Sequence, residues 1–169
     1  LEQLQPVAVN SDPLNVYIGN PALEQSFRHN FGTSFNFFNV LKEKGMWTSL
    51  NISVTDKAFV QSSTIDADGR RTYQTVNSNG QYNLNLYSDY SFKIKKVRLG
   101  AGPTANIFRS VDFINGVKNF TTTKSAGLRV NANMRKENKF EFDIGPEFTL
   151  NKSTGSINTA ANAKYWQME

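Results

Sequence analysis

The sequence predicts an all-β chain, an antiparallel up-and-down meander of about six or seven long strands, on three observations. Apolar and polar residues alternate over runs of up to fourteen positions. The turn signals between runs are of two kinds that take turns along the chain. A 3.6-residue apolar period is sustained nowhere, so no helix is required.

The first element follows "DPLN" and "GNP", which read as extended or turn segments because a residue before proline is pushed out of the helical region. The one helical candidate, 22–29, is short and lacks the period. Next, Phe27, Phe31, Phe35 and Phe37 share a strand face with His29 and Thr33, opposite Arg28, Asn30, Gly32, Ser34 and Asn36. Met46, Thr48, Leu50, Ile52 and Val54 then alternate with Trp47, Ser49, Asn51, Ser53 and Thr55. Residues 81–94 give the longest run, with Tyr82, Leu84, Leu86, Ser88, Tyr90, Phe92 and Ile94 against Asn83, Asn85, Tyr87 and Asp89. Leu99, Ala101, Pro103, Ala105 and Ile107 form the next apolar face, and Leu128, Val130, Ala132 and Met134 the one after, opposite Arg129, Asn131, Asn133 and Arg135. Last come Phe140, Phe142, Ile144, Pro146, Phe148 and Leu150, alternating with Glu141, Asp143, Gly145, Glu147 and Thr149.

Between them, short charged turns are expected at "KEKG" (42–45), "KKVR" (95–98) and "KENK" (136–139). Longer polar connections are expected at "TIDADGRR" (64–71), "NSNG" (77–80), "FING" (113–116) and "NKSTG" (151–155). Asn-Gly and Asp-Gly are strong hairpin signals, and the alternation of the two sets suits a meander with tight turns at one end and loops at the other.

Composition agrees. Only 38% of the 169 residues are apolar, yet 12% are aromatic, with 13 Phe and 6 Tyr. That mixture is poor in core-filling aliphatics and suits a sheet with one polar and one greasy face. The charge of +5 is scattered, without the block that marks a nucleic-acid tail. With no cysteine, disulfides and thiolate metal sites are excluded. The opening residues do not read as a signal peptide, and no apolar run approaches the length of a transmembrane helix.

Which face is wet does not follow from a period of two. Alternating runs of about fourteen exceed the 5–6 residues usual in soluble strands and cover the 9–11 that cross a bilayer at a tilt. With aromatics near the strand ends, this favours part of a transmembrane β-barrel. A soluble β-barrel or sandwich that binds a small apolar ligand is the alternative. A structural or assembly sheet that associates through its edges is a third reading.

Residues 4–39 add a resemblance. Leu4, Gln5, Pro6, Asp12, Pro13, Leu14, Gly19, Asn20, Pro21 and Leu23 match a pattern in the barrel region of TonB-dependent outer-membrane receptors and the related Bacteroidetes-type outer membrane β-barrel proteins. The chain departs from that pattern at Gln25 and Ser26, where Pro-Glu is usual. Residues 66–86 and 109–131 are similar to the same family.

The resemblance implies location in the outer membrane of a Gram-negative bacterium. It also implies TonB-dependent uptake of a large nutrient: a siderophore, glycan or peptide. Such receptors have a plug and about 22 strands, so the chain reads as a single segment, 1–169, of a larger barrel. Its partners would be outer-membrane lipid, the rest of the barrel, the plug, and TonB through another part of the protein. Self-association through edge strands is a further expectation. The lumen-facing candidates are Asn83, Asn85, Asp89, Arg129, Asn131 and Asn133.

No catalytic, metal or cofactor site is expected. His29 is the only histidine and reads as a strand residue near a rim. "DADG" at 66–69 lacks the later ligands of a calcium loop and reads as a turn. Gly100 and Gly102 lack the helix a phosphate loop needs and read as close packing or a bend. Glu141, Asp143 and Glu147 share a strand face and read as a solvated lumen wall rather than an acid–base pair. "NIS", "NFT" and "NKS" fit the glycosylation pattern by chance, and Tyr165-Trp166 belongs to an interfacial belt or an ordinary strand.

Overall fold

The computed structural model describes residues 14–136, 139–157 and 163–168, and every element in it is a strand. They are β1 (Asn15–Ile18), β2 (Phe27–Asn39), β3 (Lys44–Asp56), β4 (Ala58–Ile65), β5 (Arg71–Ser78), β6 (Gln81–Ile94), β7 (Val97–Ile114), β8 (Val117–Lys136), β9 (Phe140–Ile144), β10 (Glu147–Gly155) and β11 (Ala163–Met168). All lie in one open sheet, mostly antiparallel, which agrees with the all-β meander.

Several neighbouring strands are pieces of one ribbon. The β3–β6 ladder runs from Lys44↔Phe92 to Thr55↔Gln81, and the β4–β5 ladder resumes the same register at Ala58↔Ser78. β9 and β10 likewise pair with β8 in one register, broken only at Gly145-Pro146 because proline has no N–H to give the ladder. Val130 N still bonds Pro146 O at 3.0 Å across that break. Merging β3 with β4, β5 with β6 and β9 with β10 turns the ten strands β2–β11 into seven ribbons among the described residues.

The tight turns at 40–43 and 95–96 fall at one end; of the turn expected at 136–139, residues 137 and 138 lie outside those described. Glu43 and Lys95 adopt left-handed φ of 44° and 55° there. At the other end the long hairpins reach past the body of the sheet. Asn115 and Gly116 make the β7–β8 turn with φ of 50° and 77°, the mirror-image turn that matches strand twist. The "DADG" segment is a turn, as expected. Gly69 has φ 80°, and the Asp66 carboxylate accepts from the N–H groups of Asp68 and Arg70 at 3.0 and 2.9 Å.

Two of the expected connections are different. Asn151–Gly155 is strand, paired with β8 from Ser125 to Thr121. Its polar residues mark the ribbon leaving the apolar band rather than a loop. "NSNG" is a half-twist between β5 and β6 rather than a hairpin turn. Below it β6 lies beside β7; above it β4 lies beside β7 instead, with Ser62↔Phe113 parallel. Gly80, with φ 110°, makes the crossing, and a β-carbon there would lie 3.2 Å from Phe120. Lys57 (φ 50°) turns the other arm, its N–H bonded to Asn79 Oδ1 at 2.7 Å.

This crossing buries a small cluster of Ala58, Val60 and Val111, with Val76, Phe113 and Phe120 against it. With Val16 of β1, these three are the only hydrophobic residues buried among the described ones. A self-contained globule of this length would hide many more. The cluster sits under the crossed hairpin tip, not in the body of the sheet.

Candidate functional site

In the body of the sheet the two faces part. Directly opposed residues share a face, so the register fixes each side. Phe37↔Met46, Leu50↔Leu86, Leu84↔Ile107, Ala101↔Val130 and Leu128↔Phe148 carry one apolar surface across six ribbons. It is uncovered: Phe35 is 59% exposed, Leu128 50% and Phe142 56%. Its hydroxyls pair with each other, Thr48 Oγ1 and Ser88 Oγ at 2.8 Å, which is how a polar group is satisfied where water is absent. Phe37, Tyr90, Phe92, Phe140 and Phe142 gather near the tight turns.

The opposite face is an array of amides, carboxylates and rings. All six candidates, Asn83, Asn85, Asp89, Arg129, Asn131 and Asn133, lie on it, three on β6 and three on β8. They form two groups. Asn83 and Asn85 both accept from Asn106 Nδ2 of β7, the first at 3.2 Å. The other four belong to a second network nearer the tight turns. Arg129 donates to Glu147 Oε2 through Nη2 at 2.7 Å and Nε at 3.2 Å, and to the Tyr87 hydroxyl at 3.2 Å. Thr104 Oγ1 donates to the other Glu147 oxygen at 2.9 Å. Asn131 donates to Asp89 at 3.0 Å and Asn133 to Asp143 at 3.3 Å.

Two of these contacts, Asp89–Asn131 and Tyr87–Arg129, reach over β7 from β6 to β8. Glycine makes that possible. A β-carbon on Gly100 would lie 2.3 Å from Asn131 Oδ1, and one on Gly102 only 1.8 Å from the Ser88 carbonyl. The β6–β7 ladder skips Gly102 and Pro103, whereas the β7–β8 ladder runs through both. The two glycines thus read as close packing, in agreement with their expected role.

The network encloses an open groove of about 400 Å³ lined by Tyr87, Arg129, Asn131, Asn133, Asp143 and Glu147. Three carboxylates, Asp89, Asp143 and Glu147, stand in or beside it with the Arg129 guanidinium, and Arg98, the register partner of Asn133, lies on the same face of β7. Trp47 adds its ring 5.0 Å from that of Tyr87. Sequence reasoning passed over Trp47, Tyr87, Thr104 and Asn106 as site residues. The signal for the first two was an aromatic ring at a polar position of the alternation.

Residues 1–165 match the outer membrane protein beta-barrel family. The chain belongs to that family. Its location is therefore the outer membrane, and the exposed apolar sheet is the barrel-wall pattern the family description implies. No curated protein and no solved structure matches the chain.

The remaining singled-out residues make ordinary pairs in this barrel wall. His29 Nε2 lies 3.0 Å from Asp56 Oδ2 at the start of β2, with both side chains more than half exposed. Glu141 lies 4.0 Å from Arg135. Among the described residues no cluster of His, Asp and Glu is arranged to hold a metal. The Gly-Asn-Pro motif is a clamp. Asn20 Nδ2 donates to Thr75 O at 3.0 Å, its Oδ1 accepts from Ala22 N at 3.0 Å, and Gln74 holds Gly19 O at 3.3 Å. The N-terminal segment is thereby pinned to β5 before it enters β2. Tyr165 and Trp166 lie in β11, beyond the residues whose side chains are described.

Proposed function

We propose that the chain is a segment of the wall of a TonB-dependent outer-membrane receptor that takes up a large nutrient such as a siderophore, glycan or peptide. The observation that carries this reading is the pairing of an uncovered apolar face with a groove of amides and acids on the other side. The apolar face meets outer-membrane lipid. The polar face lines the lumen, where Asn83, Asn85, Asp89, Arg129, Asn131 and Asn133 meet the ligand or the plug. A large polar nutrient suits such a surface, because amides and carboxylates exchange hydrogen bonds with it without burying an unpaired charge. No catalytic step is assigned to the wall; energy reaches the plug through TonB, and neighbouring strands of the parent barrel close the two edges at β2 and β11. The single-segment reading of residues 1–169 belongs to this proposal, as does pairing of the edges by a second copy where the parent strands are missing.

The test is nutrient uptake by cells carrying the intact protein, with and without TonB, over panels of ferric siderophores, oligosaccharides and peptides. Uptake should require TonB and fall at least tenfold when Arg129 and Asn131 are both replaced by Ala, with the protein still present in the outer membrane. Uptake of a panel member that persists without TonB would overturn the reading. So would a form of the protein that stays dispersed without detergent and binds one small apolar ligand.

A further inference from the structure

The apolar face has a border of bases. On β7 its apolar run spans 97–107 and ends at Arg109; on β8 it spans 126–134 and ends at Lys124; on β9–β10 it spans 140–150 and ends at Lys152. Each run covers the 9–11 residues that cross a bilayer at a tilt, and the three bases follow on the side of the long hairpins. Lys124 and Lys152 are direct register partners, both exposed, and the register continues from Lys152 to Lys164 on β11. Like charges directly opposite each other destabilise a sheet. No carboxylate relieves them: on this face the described residues of β6 to β10 include no Asp or Glu, and no described ion pair involves Arg109, Lys124 or Lys152. The Arg109 guanidinium is held over the Phe120 ring at 3.9 Å, with its Nε buried and unpartnered.

We propose that Arg109, Lys124 and Lys152 form a site for the phosphate groups of an anionic lipid in the leaflet on the long-hairpin side. An isolated lysine at a membrane border snorkels to water on its own. A facing lysine pair with no acid on its side of the sheet instead selects a partner with at least two negative charges. Phosphates fixed to a lipid meet the pair at the depth where the apolar run ends, which a dissolved anion has no reason to prefer. The proposal rests on the outward orientation of the apolar face stated above.

The test is titration of the intact protein, in mild detergent micelles, with lipid A, read by native mass spectrometry. K124Q/K152Q should weaken binding roughly thirtyfold (about 2 kcal/mol at 1.4 kcal/mol per decade), taking about 1 kcal/mol for each base near an anionic surface. K124R/K152R should bind like the wild type, and so should K95Q/K96Q, which removes as much charge at the tight-turn end. Three results would overturn the site: equal binding by K124Q/K152Q, an equal loss in K95Q/K96Q, or displacement of lipid A by inorganic phosphate at equal concentration, which would make the ligand a free anion. A thiol introduced by V130C separates this from the orientation itself. If a lipid-soluble maleimide fails to reach it in vesicles, the orientation is wrong; if it is reached and lipid A binding is still indifferent to Lys124 and Lys152, only the lipid site is wrong.

Discussion

Replacing Gly102 by Ala should do more damage than any other single methyl added to the polar face. Its β-carbon would stand 1.8 Å from the Ser88 carbonyl oxygen, 2.5 Å from the Ser88 carbonyl carbon and 2.8 Å from Asp89 Cα, all backbone atoms. Relief requires β6 and β7 to part by roughly 1.5 Å to reach van der Waals contact. A backbone hydrogen bond near 2.9 Å does not survive that stretch. The nearest ladder pairs, Tyr87↔Thr104 and Tyr90↔Ala101, flank the clash on both sides. Overpacking costs about 1–3 kcal/mol and each lost hydrogen bond about 0.5–1.5, so G102A should cost about 3–5 kcal/mol of a total near 5–15. For G100A the three nearest atoms all belong to the Asn131 side chain, which can rotate away with loss of its bond to Asp89, at about 1 kcal/mol. G32A meets one side-chain oxygen at 3.0 Å and should be near neutral apart from a small gain in strand propensity. Urea unfolding of the intact protein in lipid vesicles gives the three values. If G102A unfolds within about 0.5 kcal/mol of G32A, the close approach of β6 to β7 is not what these glycines serve.

The remaining expectations concern the two faces and the hairpin tip. V130K and N131K are neighbours on β8 with opposite orientations; in vesicles V130K should cost about 2–4 kcal/mol and N131K less than about 1, and equal costs would refute the assignment of faces. In a double-mutant cycle on R129M and E147Q the coupling should be about 1 kcal/mol, well below a fully buried pair because Arg129 is 39% exposed, and it should shrink in 1 M salt. V111A should loosen the crossed tip before the rest, seen as faster protease nicking at residues 66–70 with the transition of the main sheet nearly unchanged. N115A removes the acceptor for Ile65 N (2.8 Å) and should increase the same nicking, since Asn115 ties the β4–β5 tip to the β7–β8 turn.

The ribbons were legible because a period of two is written locally: each residue's side depends only on its neighbours in the chain. Leu84 and Asn85 declare opposite faces without help from any other strand. What could not be read was everything that depends on which ribbon lies beside which. Asn79-Gly80 carries the same signal as Asn115-Gly116, yet one is a crossing and the other a turn. The difference lies in where the strands go next: residues 81–94 return along 44–55 in the register that residues 58–78 had already begun. The second network was invisible for the same reason. Asp89, Gly100 and Asn131 are far apart in sequence, and only the β6–β7–β8 order stacks them so that a missing β-carbon on the middle strand lets the outer two touch. Nor does alternation carry a sign, so wet and dry sides had to come from elsewhere. The structure supplies a local reason for the choice. A face that held the core would bring its hydroxyls under other side chains and leave few rings uncovered; here Thr48 and Ser88 satisfy each other while Phe35, Leu128 and Phe142 stay open. Along 124–130 of β8 the even, apolar-face positions are exposed and the odd ones half-buried. An apolar face left open in this way, backed by a face of hydrogen-bonded amides and acids, is stable when the two meet different solvents, and that is the condition an outer-membrane wall meets.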